Sequence, residues 1–441
     1  MRVVRSMITA VACLVAAAAA QAAGKPSDAE IAALVARHAS ARIAQRQDMH
    51  QNPELSNRET RTGALVAAHL ESLGIEVQAG VAHTGVVGIL RGGRPGPTIA
   101  VRADMDGLPV TEQTDYPFKS TVRSTYLDKD VGVMHACGHD VHTAALLGTA
   151  SMLAEIRDRL PGTVMFIFQP AEEGVPAGER GGARMMVEDG IFEMMKPDAV
   201  IAFHTNGAPP DDAGDNERLG IVAYSPGPAF AAATRWEATV KGRQAHGSTP
   251  HLGVDPIVAA SGIVMALQTI RSRVLPPLSD NVITVAIFRS GERHNIIPES
   301  ATLAGTIRTF DDETLATIEA RIREIFDGHT KAAHATYELD FHTGHPMTVN
   351  DAELTARLVP TLERLLGRDR VRLAPPITGS EDFSYFSQLV PGFYFRLGVV
   401  PEGKVSGGHH TSTFYAADES VPIAMRLMTS LVVDFLSAGK P

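Results

Sequence analysis

The sequence predicts an α/β domain interrupted by an inserted α+β unit of ferredoxin-like order. Three observations carry that expectation. Three apolar, strand-like runs (Pro97 to Arg102, Thr163 to Gln169 and Ala199 to Phe203) each end in a cluster of polar residues, among helical patterns such as Asp28 to His50 and Thr143 to Leu160. Continuous apolar runs bounded in this way mark strands buried on both faces of a sheet. From about Ser225 to His342 the pattern changes to strand (Arg235 to Lys241), helix (Pro256 to Arg273), strand (Val282 to Phe288), strand (Thr302 to Phe310), helix (Glu313 to Ala333) and strand (Tyr337 to Phe341). That β-α-β-β-α-β order is a split ferredoxin-like unit. Beyond it, Asp351 to Leu366 reads as an amphipathic helix and Gly392 to Val399 as a strand leading into a Gly-rich loop, so the chain returns to its first domain. The expected division is residues 1–22, 23–224, 225–342 and 343–441, the first segment a leader and the third the insertion.

A chain of 441 residues exceeds one ordinary core of about 100 to 200 residues. Its 44% apolar and 20% charged content is that of a globular protein rather than a disordered chain. Arg2 and Arg5, the apolar run Met7 to Ala20 and the following Ala-Gln-Ala read as an export signal, cleaved near Ala23. The run is short of the roughly 20 residues that span a bilayer, and no membrane span is expected elsewhere. A periplasmic or secreted location follows. Cleavage removes two arginines and no acids, moving the formal charge from -10 to -12 and arguing against a nucleic-acid partner. It also removes Cys13, leaving Cys137 as a lone thiol in an oxidising compartment. Such a thiol is either buried and inert or held by a metal.

The neighbours of Cys137 favour a metal. In Met134-His-Ala-Cys-Gly-His-Asp-Val-His142, Cys137 and His139 can reach one ion from a loop just before a helix. A helix beginning near Asp140 would add a positive dipole end that stabilises the thiolate. Glu172 and Glu173 directly follow a buried strand, where adjacent side chains point to opposite sides, so one can ligate while the other faces a reacting water. His204 occupies the equivalent place after the next strand. Ligand sites in open α/β sheets lie beyond the carboxyl ends of the strands, so these clusters are expected in one crevice.

Four segments carry a family resemblance: Arg-Ala-Asp-Met-Asp-Gly-Leu-Pro (102–109), Met-His-Ala-Cys-Gly-His-Asp-Val-His-Thr-Ala (134–144), Gln-Pro-Ala-Glu-Glu-Gly (169–174) and Gly-Ser-Glu-Asp-Phe (379–383). In that order they resemble the amidohydrolase branch of the aminoacylase and glutamate-carboxypeptidase metallopeptidase family, which includes hippurate and indoleacetyl-amino-acid hydrolases. The resemblance implies a metallopeptidase-type α/β/α catalytic domain with an inserted lid and dimerisation domain, and hence a homodimer. It implies two divalent ions (Zn, Mn, Co or Ni) held by Cys137, His139, Glu173, His204 and His410, with the cysteine bridging. Glu172 matches the catalytic base and Asp106 an aspartate that orients the ligands. In the insertion, His246 matches a histidine that helps hold the substrate carbonyl from the partner subunit, and Asn295 and Arg308 match residues that hold the substrate carboxylate. Two departures are Thr411-Ser412 after His410 and Thr205-Asn206 after His204.

The implied activity is hydrolysis of the amide bond of N-acyl amino acids. A dipeptidase or carboxypeptidase on the same scaffold is the nearest alternative, because a peptide is also an N-acyl amino acid. A non-catalytic periplasmic solute-binding protein is the alternative from another class. The paired glutamates argue against it, since binding alone needs no spare carboxylate beside an ion.

Overall fold

The computed structural model describes residues 24–176, 178–208 and 215–439. The leader read at residues 1–22, with Cys13, lies outside the described residues. The chain divides into two compact units. One comprises the described parts of Met1–Gly227, Asn350–Pro375 and Tyr385–Pro441, and the other Pro228–Val349 with Pro376–Ser384.

The first unit is built on a sheet of eight strands among the described residues, numbered in chain order: β1 (Glu76–Val81), β2 (Gly85–Arg91), β3 (Arg94–Asp104), β4 (Pro161–Gln169), β5 (Ala199–Asn206), β6 (Val222–Tyr224), β7 (Val371–Leu373) and β8 (Gly392–Gly398). Their spatial order is β1-β2-β4-β3-β5-β8-β6-β7. The centre, β4-β3-β5-β8, is parallel, while β1 and β2 pair antiparallel at one side. Central parallel strands are covered on both faces, which is why β3, β4 and β5 read as unbroken apolar runs. β1, β2, β6 and β7 were not read from the sequence: β6 and β7 are only three residues long, and β1 is a largely exposed edge strand. Register aligns the strand ends, with Asp104 opposite Gln169 and His204 opposite Arg396.

Five helices matter for the site: α1 (Asp28–Gln51), α2 (Thr60–Ser72), α3 (His139–Glu155), α4 (Ala352–Leu366) and α5 (Ser420–Ala438). A capping box between Ser27 and Glu30 starts α1, and Asp351 caps α4 through the Leu354 amide. Residues 139–153 of α3 are all buried, because α3 packs between α1 and α5. An all-round apolar helix of this kind belongs to a core. The helix starts at His139, one residue before the start expected near Asp140, because Gly138 in the left-handed region (φ 88°) turns the chain directly into it.

Length and composition would let two helical segments cross a membrane, Pro256–Val274 and Ser420–Ala438, contrary to the expectation that none would. The second is mostly buried in the core of its unit, and the first buries Ala259, Ala260, Ile263 and Leu267 in the other.

The second unit carries strands Ala232–Lys241, Asn281–Ser290, Ser300–Thr309 and Thr336–Thr343, with helices Pro256–Thr269 and Asp312–Ala332. Taking the strands as first to fourth, their order across the sheet is 2-3-1-4, every neighbour antiparallel, as a ferredoxin-like unit requires. Trp236, Ile263, Leu303, Ile322 and Phe326 are fully buried in its core. Where the chain leaves and rejoins the first unit, Asn350 Nδ2 donates to the Ser225 carbonyl at 2.8 Å, so two residues 125 apart in sequence are stapled together.

Candidate metal centre

The carboxyl ends of β3, β4 and β5, the loop before α3 and the loop after β8 meet in the first unit. Cys137 Sγ is the hub. It lies 3.3 Å from His204 Nε2 and 3.4 Å from His410 Nε2. Glu173 Oε1 is 3.0 Å from His410 Nε2 and 3.8 Å from His139 Nε2. Donor atoms of Cys137, His139 and Glu173 all lie within 4.8 Å of one another, as do donors of Cys137, His204 and His409. The thiol therefore belongs to two donor groups at once.

The donors fit a metal by their own chemistry. His139 Nε2 is buried with no hydrogen-bond partner among the described residues, an arrangement that is costly unless a cation is bound there. Burial, with the carboxylates of Glu173 and Glu172 beside it, pushes the Cys137 thiol well up, so its thiolate needs cations as neighbours. Burial and the nearby His142 and His409 hold His204 far down, in the neutral form that ligates. Burial alone would lower His139, but Asp104 and Asp106 overcome it and raise the imidazole to about 10. That excess of buried negative charge is what a divalent cation would balance.

Each donor is aimed by a second group. Asp106 Oδ1 holds His139 Nδ1 at 3.1 Å, and its Oδ2 accepts from the Glu173 amide at 3.1 Å and from Ser56 Oγ at 2.7 Å. His204 Nδ1 donates to the Thr205 carbonyl at 2.6 Å, which turns Nε2 to the hub. Thr205 also donates its amide to His142 Nε2 at 2.8 Å and its hydroxyl to the Cys137 carbonyl at 2.7 Å. The departure at Thr205 thus ties together the loop it sits beside. A Cβ on Gly138 would come within 2.4 Å of Thr205 Oγ1, so only glycine fits there.

Glu172 sits on the same turn, its Oε2 4.0 Å from His139 Nε2. Of the adjacent histidines, His410 adopts a left-handed backbone (φ 64°), donates its amide to the Ala136 carbonyl at 2.9 Å and faces Glu173. His409 faces Thr205, with Nε2 3.1 Å from its carbonyl.

The remaining expected residues lie in the second unit. His246 is exposed on a two-residue strand and accepts from the Ser248 amide at 3.1 Å. Asn295 is next to that strand, its carbonyl accepting from the Gly247 amide at 2.9 Å. Arg308 is partly buried on Ser300–Thr309, and its Nη1 is buried without a hydrogen-bond partner among the described residues.

Sequence reading overlooked several residues that shape the centre. Asp104 ion-pairs with Arg102 at 2.8 Å and with His142 at 2.6 Å, all buried. Glu59 is wholly buried. Its Oε1 accepts from the Ala171 amide at 2.8 Å and the Asn57 amide at 3.1 Å, and both donors have positive φ (53° and 61°). One carboxyl thus holds two strained turns, one of which aims the glutamate pair. Burial, then the Asp106 charge, raises it to about 7. The acidic spacing Asp104-x-Asp106 was a signal that could have drawn attention to Asp104. Nothing local distinguishes Glu59.

A mixed sheet with thiol, imidazole and carboxylate donors gathered at its carboxyl edge is built to hold metal ions. Residues 100–434 match the model of peptidase family M20/M25/M40. The chain is 39% identical over 378 residues to thermostable carboxypeptidase 2 of Saccharolobus solfataricus, covering 85% of this chain and 90% of that one. It is 36% identical over 398 residues to the IAA-amino acid hydrolase ILR1-like 2 of Arabidopsis thaliana, covering 89% and 84%. Among solved structures it resembles a dinuclear metal-binding peptidase of the M20 family from Bacillus subtilis, with a TM-score of 0.75 and 31% identity over 91% of this chain and 99% of that one. The chain belongs to peptidase family M20/M25/M40, in its amidohydrolase branch. It is a metal-dependent hydrolase acting on amides.

Proposed function

We propose that the protein hydrolyses the amide bond of N-acyl amino acids, releasing a carboxylic acid and a free amino acid, with two divalent ions held by Cys137, His139, Glu173, His204 and His410. One observation carries this reading: buried imidazole and carboxylate donors converge around a shared thiol, with a second carboxylate, Glu172, beside them. When bound, the ions make water acidic enough to attack at neutral pH and polarise the scissile carbonyl. Glu172 takes the proton of the attacking water and delivers it to the departing nitrogen. Asp106 keeps His139 and the Glu173 turn in place throughout. The donor set suits Zn, Mn, Co or Ni. Chelation is expected to abolish hydrolysis, and readdition of one of these metals to restore it. Full turnover in a preparation shown by elemental analysis to be metal-free would overturn the mechanism.

Asn295 and Arg308 hold the substrate's α-carboxylate, the orphaned Arg308 Nη1 supplying part of a guanidinium fork. Amidating that carboxyl group is expected to cost the wild type heavily in kcat/KM but to matter much less in Arg308→Ala, whose charge partner is already gone. Equal losses in both proteins would remove Arg308 from the site.

The protein is exported to the periplasm or secreted, and forms a homodimer through the inserted unit, with His246 entering the partner's site to hold the substrate carbonyl. Exposed apolar side chains on the inserted unit support the dimer: Val258 is 67% and Met265 71% exposed on helix Pro256–Thr269, and Ile287 and Phe288 are exposed on the edge strand. Mixed dimers of inactive His246→Ala and Glu172→Gln chains are expected to regain about half the wild-type activity per heterodimer, because two-fold symmetry leaves one site intact. No recovery after confirmed subunit exchange would place His246 in its own subunit's site. A carboxypeptidase or dipeptidase activity is the second reading, favoured by the name of the Saccharolobus relative. A panel of acetyl, benzoyl and indoleacetyl amino acids against simple dipeptides separates the two.

A further inference from the structure

Four of the eight non-glycine residues with positive φ among the described residues lie in three segments that meet at one side chain: Asn57 (61°), Ala82 (45°), His83 (79°) and Ala171 (53°). Left-handed backbone is disfavoured for a residue with a Cβ, so such a cluster persists only where its surroundings enforce it. The enforcing group is Glu59. Its Oε1 accepts from the amides of Asn57 and Ala171, and its Oε2 accepts from Thr84 Oγ1 at 2.6 Å, directly after the turn at Ala82 and His83.

The place of Glu59 in the chain gives it no other evident task. It is the N-cap residue of α2, yet its side chain makes no capping hydrogen bond. Glu54 serves that end instead, its carboxylate accepting from the amides of Arg61 and Thr62 at 2.8 Å each. A Cβ on Gly63, in the first turn of α2, would lie 2.5 Å from the Thr84 carbonyl oxygen, so α2 sits directly on the hairpin between β1 and β2. Glu59 is thereby turned inward and 0% exposed, with two amides and a hydroxyl as its hydrogen-bond partners. Burying a carboxylate in this way is costly, and α2 gains nothing from it.

What Glu59 does control is the residue before the glutamate pair. Ala171 stands between the end of β4 and Glu172-Glu173, and relaxation of its φ to the ordinary negative range would swing the segment that carries both carboxylates. Glu173 has an anchor of its own, because Asp106 holds its amide. Resting on the reading of Glu172 as the proton-transfer group, we infer that Glu59 is a positioning residue for the reaction, holding Ala171 left-handed and so fixing where the Glu172 carboxylate stands. It acts by reach and hydrogen-bond acceptance, not by charge. Burial, then the Asp106 charge, raises its carboxyl to about 7, so the ionised form is opposed rather than required. A glutamine can offer the same oxygen to both amides and donate its NH2 to Thr84 Oγ1, since a hydroxyl accepts as well as donates. An aspartate keeps the charge but is one methylene short.

The test combines Glu59→Gln, Glu59→Asp and Glu59→Leu with Ala171→Gly, using indoleacetyl-alanine and benzoylglycine as substrates. Glu59→Gln should keep most of the wild-type kcat. Glu59→Asp and Glu59→Leu should lower kcat by about a hundredfold, the effect that a misplacement of about 1 Å can have, with KM and metal content little changed. Ala171→Gly is the rescue, because glycine adopts positive φ without steric cost. Combined with Glu59→Asp it should restore kcat at least about fivefold, the low end of the left-handed penalty expressed as a population ratio. Hydrogen–deuterium exchange on the metal-free protein supplies a readout independent of turnover. The Ala171 amide should be protected in the wild type and Glu59→Gln and should exchange faster in Glu59→Asp and Glu59→Leu. Wild-type kcat in Glu59→Asp would overturn the inference, as would a loss in Glu59→Gln as large as that in Glu59→Asp, which would make charge the agent. A loss in Glu59→Asp that Ala171→Gly does not relieve would show that Glu59 acts by another route. Glu59→Asp keeps a polar group at the site, so the comparison stands even if Glu59→Leu does not fold. If the wild type cleaves no N-acyl amino acid, only the functional reading fails, and exchange at Ala171 still decides whether Glu59 holds the turn.

Discussion

Glu172→Gln is expected to retain its metal and lose about a hundred- to ten-thousand-fold in turnover, whereas Glu173→Gln is expected to lose metal. The two residues are adjacent, yet the fold gives them different surroundings. Glu173 Oε1 is buried and lies 3.0 Å from His410 Nε2. Its amide is fixed by Asp106. An amide side chain there would put a neutral group among donors that need negative charge to hold a cation. Glu172 Oε2 lies 4.0 Å from His139 Nε2, and the proposed role of its carboxylate is proton transfer rather than ligation. Replacing its carboxylate removes a proton acceptor and leaves the donors in place. Elemental analysis and rates on both variants, at matched metal supply, decide the matter. Equal metal loss in the two would mean that the roles are misassigned.

Arg46→Met is expected to destabilise the first unit by about 3–5 kcal/mol, the usual effect of leaving one partner of a buried ion pair alone. Arg46 is 1% exposed, and its guanidinium ion-pairs with Asp140 at 2.7 Å and Asp418 at 2.9 Å. It also lies 5.0 Å from the Tyr116 ring and 5.1 Å from the Phe118 ring. Asp140 is equally buried and, among the described residues, keeps His50, at 2.9 Å, as its other ion-pair partner. Because Asp140 follows His139 directly, the strain would reach the metal loop as well. Thermal unfolding followed by circular dichroism measures the effect. The double variant Arg46→Met/Asp140→Asn should recover part of the loss, because it removes the stranded charge. A loss under about 1 kcal/mol in the single variant would show that water reaches the site and that the pair is not truly desolvated.

Much of this architecture was readable because chemistry and pattern coincide at strand ends. The runs before Asp104, Glu172 and His204 were continuous and apolar, so the polar residues ending them had to emerge along one sheet edge. The insertion was readable from its alternation of strands and helices. What stayed hidden depends on partners remote in sequence. Glu59 resembles any surface glutamate until it is seen to accept the amide of Ala171, 112 residues away. Thr205 stood out only as a departure from a motif, although its amide, hydroxyl and carbonyl all hold neighbouring ligand segments. The hairpin at 123–132 was missed because its strands are polar and exposed, which gives a half-buried alternation nothing to show.

The staple between Ser225 and Asn350 has a consequence for how the chain assembles. Closing a loop costs entropy that grows with its length, though slowly. Cys137 and His410 are 273 residues apart, and the whole inserted unit lies between them in sequence. Once that unit has folded and its two ends are pinned, those residues no longer count as free chain, and the effective separation of the thiol from its last imidazole shrinks accordingly. The insertion thus acts as a contact-order shortcut. During synthesis the proposed donors can gather only when the segment carrying His410 has been made.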